Sequence, residues 1–140
     1  MLPMSYETFD HTADIGIRAW GGQLHEVFEE MAKALFSVLA DLETVDCKKT
    51  ITVKVSAPSI EDLMLNWLKE LLFIFETKRL VFSDFHVIQV TAAKLAAEAR
   101  GEPLDPKKHI LGREVKAVTL HQFKLEQRDS GYLAEAILDI

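Results

Sequence analysis

A helix that is apolar around most of its circumference must be covered on more than one side. The segment after Pro58-Ser59 is such a helix. Leu63, Trp67, Leu68, Leu71, Leu72 and Phe75 make a wide apolar band at three- and four-residue steps. Ser59 followed by Asp62 resembles a capping box with Asp in place of Glu or Gln. Lys78-Arg79 places cations where the helix dipole wants them, so the helix should end there.

A second helix is predicted over residues 24–39. Leu24, Val27, Phe28, Met31, Leu35 and Val38 form one stripe, and Glu26, Glu29, Glu30 and Lys33 fall mostly opposite it. Glu29 and Lys33 are four apart in the favourable order.

The remaining patterned segments alternate with period two and read as strands. Residues 5–9 are β-favouring. Ile15, Ile17 and Ala19 alternate with Gly16, Arg18 and Trp20 before Gly21-Gly22 breaks the chain. Ile51, Val53, Val55 and Ala57 alternate with Thr50, Thr52, Lys54 and Ser56. Residues 80–90 are apolar and β-leaning. Val115, Ala117, Thr119, His121, Phe123 and Leu125 alternate with Lys116, Val118, Leu120, Gln122 and Lys124, which predicts one long strand. A turn at 128–131 leads to a return strand over 132–140. Residues 41–48 read as a polar loop. Residues 102–108, with Pro103 and Pro106, read as a loop or a single helical turn. Helices and strands do not alternate strictly. The prediction is therefore one α+β domain over 1–140, with mostly antiparallel or mixed β-sheets and two long helices.

Length and composition narrow the function. A chain of 140 residues, 49% hydrophobic and 27% charged, is sized and composed for one folded core. Its net charge of −6 argues against coating nucleic acid directly. One cysteine, Cys47, excludes an internal disulfide and a cysteine zinc cluster, and suits a reducing, cytoplasmic setting. The start, Met1-Leu2-Pro3-Met4, has neither a basic n-region nor an apolar core and predicts no signal peptide. Phosphate loops, dinucleotide fingerprints, nucleophile elbows and His-Glu-x-x-His motifs are all missing.

Oxygen chemistry remains. Asp14 follows a tight turn, and Asp139 stands beside the carboxylate of Ile140. Hard cations such as calcium or magnesium take several oxygen ligands, with charge from carboxylates. If the two ends of the sequence meet, they make such a site. Each residue also has a plainer reading. Asp14 and His11 can bond turn amides, Asp139 can be solvated, and Lys116 can snorkel or pair on the surface. Asp41 and Asp46 lie in a polar loop and either could add an oxygen. Water activation by two carboxylates and His11 is a further option, but no substrate pocket is visible.

Taken together these stretches resemble the archease family, from Tyr6 to Ile140. The likeness rests on Asp10-His11-Thr12-Ala13-Asp14-Ile15-Gly16-Ile17, then Gly22 and Leu24-His25-Glu26-Val27-Phe28. It continues through Arg100-Gly101-Glu102, Val115-Lys116-Ala117-Val118-Thr119-Leu120-His121 and Leu138-Asp139-Ile140. Leu120 departs from the tyrosine usual in the family. The resemblance turns residues 91–100 into an expected strand, although Ala92, Ala93, Ala96, Ala97 and Ala99 favour a helix.

The resemblance also implies a function. Archeases serve as protein cofactors of the RtcB-type RNA ligase, which joins tRNA halves through a histidine–guanylate intermediate and divalent metal ions. They promote guanylylation, permit multiple turnover and can broaden nucleotide use, without being the ligase. By this likeness Asp14, Asp139 and Ile140 would bind a metal, seen in the family as calcium, with magnesium or manganese as alternatives. Lys116 would act in activation. The partner would be the ligase, with tRNA reached only through it. The competing expectation is a chaperone-like or specificity-modulating partner of a tRNA-modifying enzyme such as a methyltransferase.

Overall fold

The computed structural model describes residues 4–140; Met1-Leu2-Pro3, part of the segment read above as no signal peptide, lies outside the described residues. In chain order the elements are β1 (Ser5–His11), β2 (Asp14–Gly21), α1 (Leu24–Leu39), β3 (Lys49–Ser56), α2 (Ile60–Lys78), β4 (Leu80–Val90), β5 (Lys94–Pro103), β6 (Ala117–Arg128) and β7 (Gly131–Asp139). The strands form two antiparallel sheets, one ordered β1-β2-β7-β6 and the other β3-β5-β4. This is the expected α+β architecture.

Both helices lie between the sheets. Helix α1 packs on β1 and β2 of the first sheet and β4 of the second, and α2 packs on β6 and β3. This placement explains the wide band of α2. Trp67 is fully buried, and its indole N–H donates to the Phe28 carbonyl of α1 at 2.9 Å. Half of the predicted capping box forms, Ser59 Oγ accepting from Asp62 N at 3.1 Å, and α2 ends where expected, at Arg79 in the left-handed region, φ 52°.

The stripe expected of α1 is buried, and coverage on both sides widens it. Ala32 and Phe36 are buried as well, and Glu30 is only 5% exposed, with Lys33 Nζ 3.2 Å away. The expected Glu29–Lys33 pair gives way to a different bond. Glu29 Oε2 accepts from Val87 N at 2.8 Å, where β4 breaks its register. Strand β5 forms in spite of its alanines. It is central in its sheet, and Ala97 and Ala99 face the helices with no exposed surface. Sheet pairing on both edges overrides helix propensity here. Gly101 ends this row, since a Cβ there would stand 1.9 Å from the Val81 carbonyl oxygen.

The uninterrupted strand predicted from Val115 is also corrected. Strand β6 starts at Ala117 and breaks between Thr119 and Lys124. Thr119 pairs with Ile137 and Lys124 with Glu135, so residues 120–123 face the single residue Ala136. Gln122 there has φ 52°. The bulge changes which parity faces the core: Val118 is buried before it and Leu125 after it.

Candidate functional site

The hairpin of β1 and β2 turns through Thr12 and Ala13, with His11 paired to Asp14. Ala13 sits at φ 63°, where a side chain is strained and glycine would be at ease. On the other side β2 pairs with β7, Ile15 opposite Leu138, and one more step of that register sets Asp14 opposite Asp139. Asp139 in turn pairs with Ala117. His11, Asp14, Asp139 and Ala117 thus form one row across the end of the four-stranded sheet. Lys116 N donates to the Asp139 carbonyl at 2.7 Å, so the backbone of Lys116 reaches the same end.

Paired residues share a face. Ile17 and Ala136 face the helices, so Asp14 and Asp139, an odd number of steps away, belong to the outer face. The next rows on that face hold it in shape. The Phe9 ring covers Gly16, where a Cβ would stand 2.1 Å from Phe9 Cζ. Arg18 lies over Phe9 with its Cζ 4.4 Å from the ring centroid, and also pairs with Glu7 and Glu135.

A shallow depression of about 280 Å³ opens at the end row, lined by residues 10–15, Arg113 and Ile140. Asp14 and Ile140 therefore meet in one cavity, while the side chains of Asp139 and Lys116 lie outside its lining. His11 Nδ1 is 3.8 Å from Asp14 Oδ2, buried, and without a hydrogen-bond partner. The His11 and His121 rings meet edge to face, 5.4 Å between centroids.

Among the described residues no three or more His, Cys, Asp or Glu side chains are grouped to hold a metal ion. What this end offers is the Asp14 carboxylate with His11, Arg113 and Ile140 around it, and Asp139 at the end of the neighbouring strand. Carboxylate oxygens such as those of Asp14 and Asp139 suit a hard divalent cation, whereas zinc prefers nitrogen and sulfur; His11 and Arg113 line the same depression. The unsatisfied His11 nitrogen agrees with an end that is finished by something else.

The loop aspartates belong elsewhere. Asp41 caps a short 3₁₀ turn, accepting from Glu43 N at 3.0 Å. Asp46 joins a second cluster that the sequence did not disclose. Glu102, only 5% exposed, accepts from Asp46 N at 2.8 Å, from His109 Nε2 at 2.9 Å and from Lys108 Nζ at 2.9 Å. His109 Nδ1 accepts from Asp105 N at 2.9 Å, which fixes the tautomer with the proton on Nε2. Lys108 Nζ also donates to Asp46 Oδ2 at 2.7 Å. The Asp46 amide, then His109 and Lys108, hold the Glu102 carboxyl down at about 2. Asp46, then Glu102, raise the Lys108 ammonium above its ordinary range. Glu102 was visible only as part of Arg100-Gly101-Glu102. Its partners sit in loops, where no periodicity announces a contact.

The described chain contains no helix long and apolar enough to cross a membrane. The profile of the Archease protein family (MTH1598/TM1083) matches residues 6–140. Protein archease of Pyrococcus abyssi is 45% identical over 139 residues, covering 96% of this chain and 98% of that one. Protein archease of Sulfurisphaera tokodaii is 39% identical over 136 residues, covering 96% and 98%. The solution structure of Methanobacterium thermoautotrophicum protein 1598 superposes with a TM-score of 0.85 at 37% identity, covering 97% of this chain and 99% of that one. The crystal structure of a Thermotoga maritima archease, described as a possible chaperone, shares the fold, with a TM-score of 0.62, 18% identity and 96% of each chain covered. With the family profile matching nearly from end to end and close relatives of equal length, this chain belongs to the archease family.

Proposed function

We propose that this chain is a cytoplasmic accessory protein that activates an RtcB-type RNA ligase in tRNA splicing, promoting its guanylylation and repeated turnover, and that it is not itself an enzyme. One observation supports the reading: Asp14 and Asp139 each lie one residue beyond the Ile15–Leu138 pair of adjacent strands, and Asp14 and Ile140 line one depression of an acidic molecule. Asp14, Asp139 and the Ile140 carboxylate would hold a divalent ion, calcium first, with magnesium or manganese as alternatives. When bound, that ion would supply positive charge for phosphate oxygens. The residues of the chain do the rest. The carboxylates give the end a field that steers it toward a metal-bearing, cationic partner site. The exposed Lys116 would bring an ammonium to the same edge, its backbone N–H donating to the Asp139 carbonyl.

The test is RNA joining with ligase at substoichiometric level, following ligase guanylylation and product with and without this protein, wild type and Asp14→Ala. Restored turnover by the wild type alone supports both the activator reading and the carboxylate site. Equal stimulation by both proteins keeps the activator and removes the site from its mechanism. No stimulation by either rejects the reading.

A second reading is a chaperone-like or specificity-modulating partner of a tRNA-modifying enzyme such as a methyltransferase. It draws on the exposed Ile110, Leu111 and Leu120, and on the description of the Thermotoga maritima protein as a possible chaperone. It requires Asp14 and Asp139 to be dispensable.

A further inference from the structure

The outer face of the three-stranded sheet, across the helices from the Asp14 row, holds a cationic notch. Val53, Ala97 and Val87 pair across this sheet and point inward, buried. The rows on either side therefore point outward. In one, Glu98 lies between Thr52 and His86; in the other, Ala96 lies between Lys54 and Gln89. The next outward row pairs Ser56 with Lys94. Lys94 is thus the diagonal neighbour of Lys54, about 7–8 Å away on the same face. Around the small Ala96 opens a depression of about 360 Å³, lined in part by Lys54, Ser56, Gln89 and Lys94.

Charge on this face is unevenly answered. Arg100 pairs with Asp84 at 3.5 Å and with Glu98 at 3.2 Å. Among the described residues Lys33, Lys48, Lys108 and Lys124 form ion pairs, and Lys54 and Lys94 form none. Of the described residues that line the depression none is acidic, although the chain carries 22 Asp and Glu against 16 Lys and Arg. The backbone beneath the notch is fixed. Lys94 N donates to Thr91 Oγ1 at 3.1 Å, and Thr91 N donates to the Lys94 carbonyl at 2.9 Å. The Ser56 carbonyl accepts from Asn66 Nδ2 at 3.0 Å, which ties this end of β3 to α2.

We infer that Lys54 and Lys94, with Ser56 and Gln89, form a site for a phosphate group. Two ammonium groups, a hydroxyl and a side-chain amide supply hydrogen-bond donors around one depression. A phosphate brings the negative charge and the several acceptor oxygens that use them together, and lysine serves it as a point charge. Two ammonium groups this close, with no acid between them, repel until an anion lies between them. The phosphate belongs to a small ligand or to a nucleic-acid backbone, which lysine and serine commonly contact. The site lies on a different sheet from the Asp14 row and needs neither ligase nor metal, so it stands apart from the activator reading.

The test uses the full-length, isotope-labelled protein alone. Inorganic phosphate is titrated at constant ionic strength while amide shifts are followed by NMR. Binding of a short single-stranded RNA is followed by fluorescence anisotropy at several salt concentrations. The variants are the double substitution Lys54→Gln with Lys94→Gln and a charge-matched control, Lys69→Gln with Lys107→Gln, also at exposed positions. Melting temperature confirms that both are folded, as surface changes allow. The expected result is a saturable set of phosphate shifts confined to residues 54–56, 89 and 94–96, lost in the first variant and kept in the control. Where the source is RNA, the first variant also raises the RNA Kd about tenfold and flattens the salt slope by roughly 1.4, the value for two phosphates of a single strand. Selective loss of RNA binding assigns the notch to a nucleic-acid backbone. Saturable phosphate shifts without that loss assign it to a small phosphate ligand. Phosphate shifts that are absent or scattered, with RNA binding no more sensitive to Lys54 and Lys94 than to the control pair, overturn the proposal.

Discussion

The end row of the four-stranded sheet and the Glu102 cluster hold similar chemistry in opposite conditions. Each has a carboxylate and a histidine in contact. At Glu102 every group is answered: both ring nitrogens of His109 are bonded, and Glu102 accepts from an amide, an imidazole and an ammonium. At the end row, His11 Nδ1 has no hydrogen-bond partner and stands 3.8 Å from Asp14 Oδ2. A buried network with every bond made rigidifies its surroundings. This one fastens the 41–48 and 104–110 loops to β5. A part-exposed carboxylate beside an unbonded ring nitrogen adds little to the stability of the chain that carries it. Under the function proposed above, the Glu102 cluster holds the fold and the end row meets the partner.

The largest effect that could break this contrast is functional. Asp14→Asn should lower stimulation of the ligase by at least about tenfold, the scale on which a lost charge contact is felt. It should leave the melting temperature within about 2 °C of wild type, as for a part-exposed side chain whose contact with His11 Nδ1 is long, 3.8 Å. A fall in melting temperature that matched the loss of stimulation would make the end row a structural staple and erase the distinction.

Glu102→Gln should do the reverse. Removing the charge that Lys108 and His109 face leaves buried donors poorly matched, and the melting temperature should drop on the order of 10 °C. Stimulation per folded molecule, measured well below that temperature, should persist. The same carboxyl sets a pH dependence. Its value in the fold, about 2, lies below the ordinary 4.5. Its contribution is therefore fully present above about pH 4.5 and is lost as pH falls toward 2. Wild type and Glu102→Gln should accordingly converge in stability across that window, which thermal scans in acid buffers would show.

The two clusters were not equally readable. Asp14, Asp139 and Ile140 flank regular strands, so alternation and pairing carry them to one row. Glu102, Lys108 and His109 depend on how a proline-containing loop closes, and nothing in the spacing of those residues encodes it. The same limit hid the bulge at 120–123. Its residues continue the alternation of β6 in sequence, and only the pairing of Thr119 with Ile137 and Lys124 with Glu135 reveals the excess. Glu30 was misplaced because cover from both sheets narrows the open face of α1 to Glu26, Glu29, Lys33 and Ser37, and Glu30 falls beside it.

A smaller effect sharpens the contrast from the side of the ion. Calcium at about ten times its Kd should raise the melting temperature by roughly 5 °C in the wild type. It should do little for Asp14→Asn or Asp139→Asn, and nothing specific for Glu102→Gln beyond what the wild type shows. A one-glycine extension after Ile140 should also reduce the shift, by moving the terminal carboxylate. Differential scanning with calcium, magnesium and manganese in turn measures this without any ligase. An equal shift in all variants would place the cation elsewhere.

The smallest expected change in stability belongs to Lys116. Its tie to the end row runs through its backbone, Lys116 N to the Asp139 carbonyl, and its side chain is exposed. Lys116→Ala keeps that N–H, so its melting temperature should stay within about 2 °C of wild type, as for other exposed positions. Any loss of stimulation then reports on the ammonium alone. Lys116→Arg divides what remains. A guanidinium restores the charge but not the compact point donor. Recovery in Lys116→Arg means that the edge needs only positive charge beside its carboxylates. Failure means that the ammonium meets one particular oxygen of the partner or its nucleotide. Full stimulation by Lys116→Ala removes Lys116 from the active edge and leaves the carboxylates to carry it.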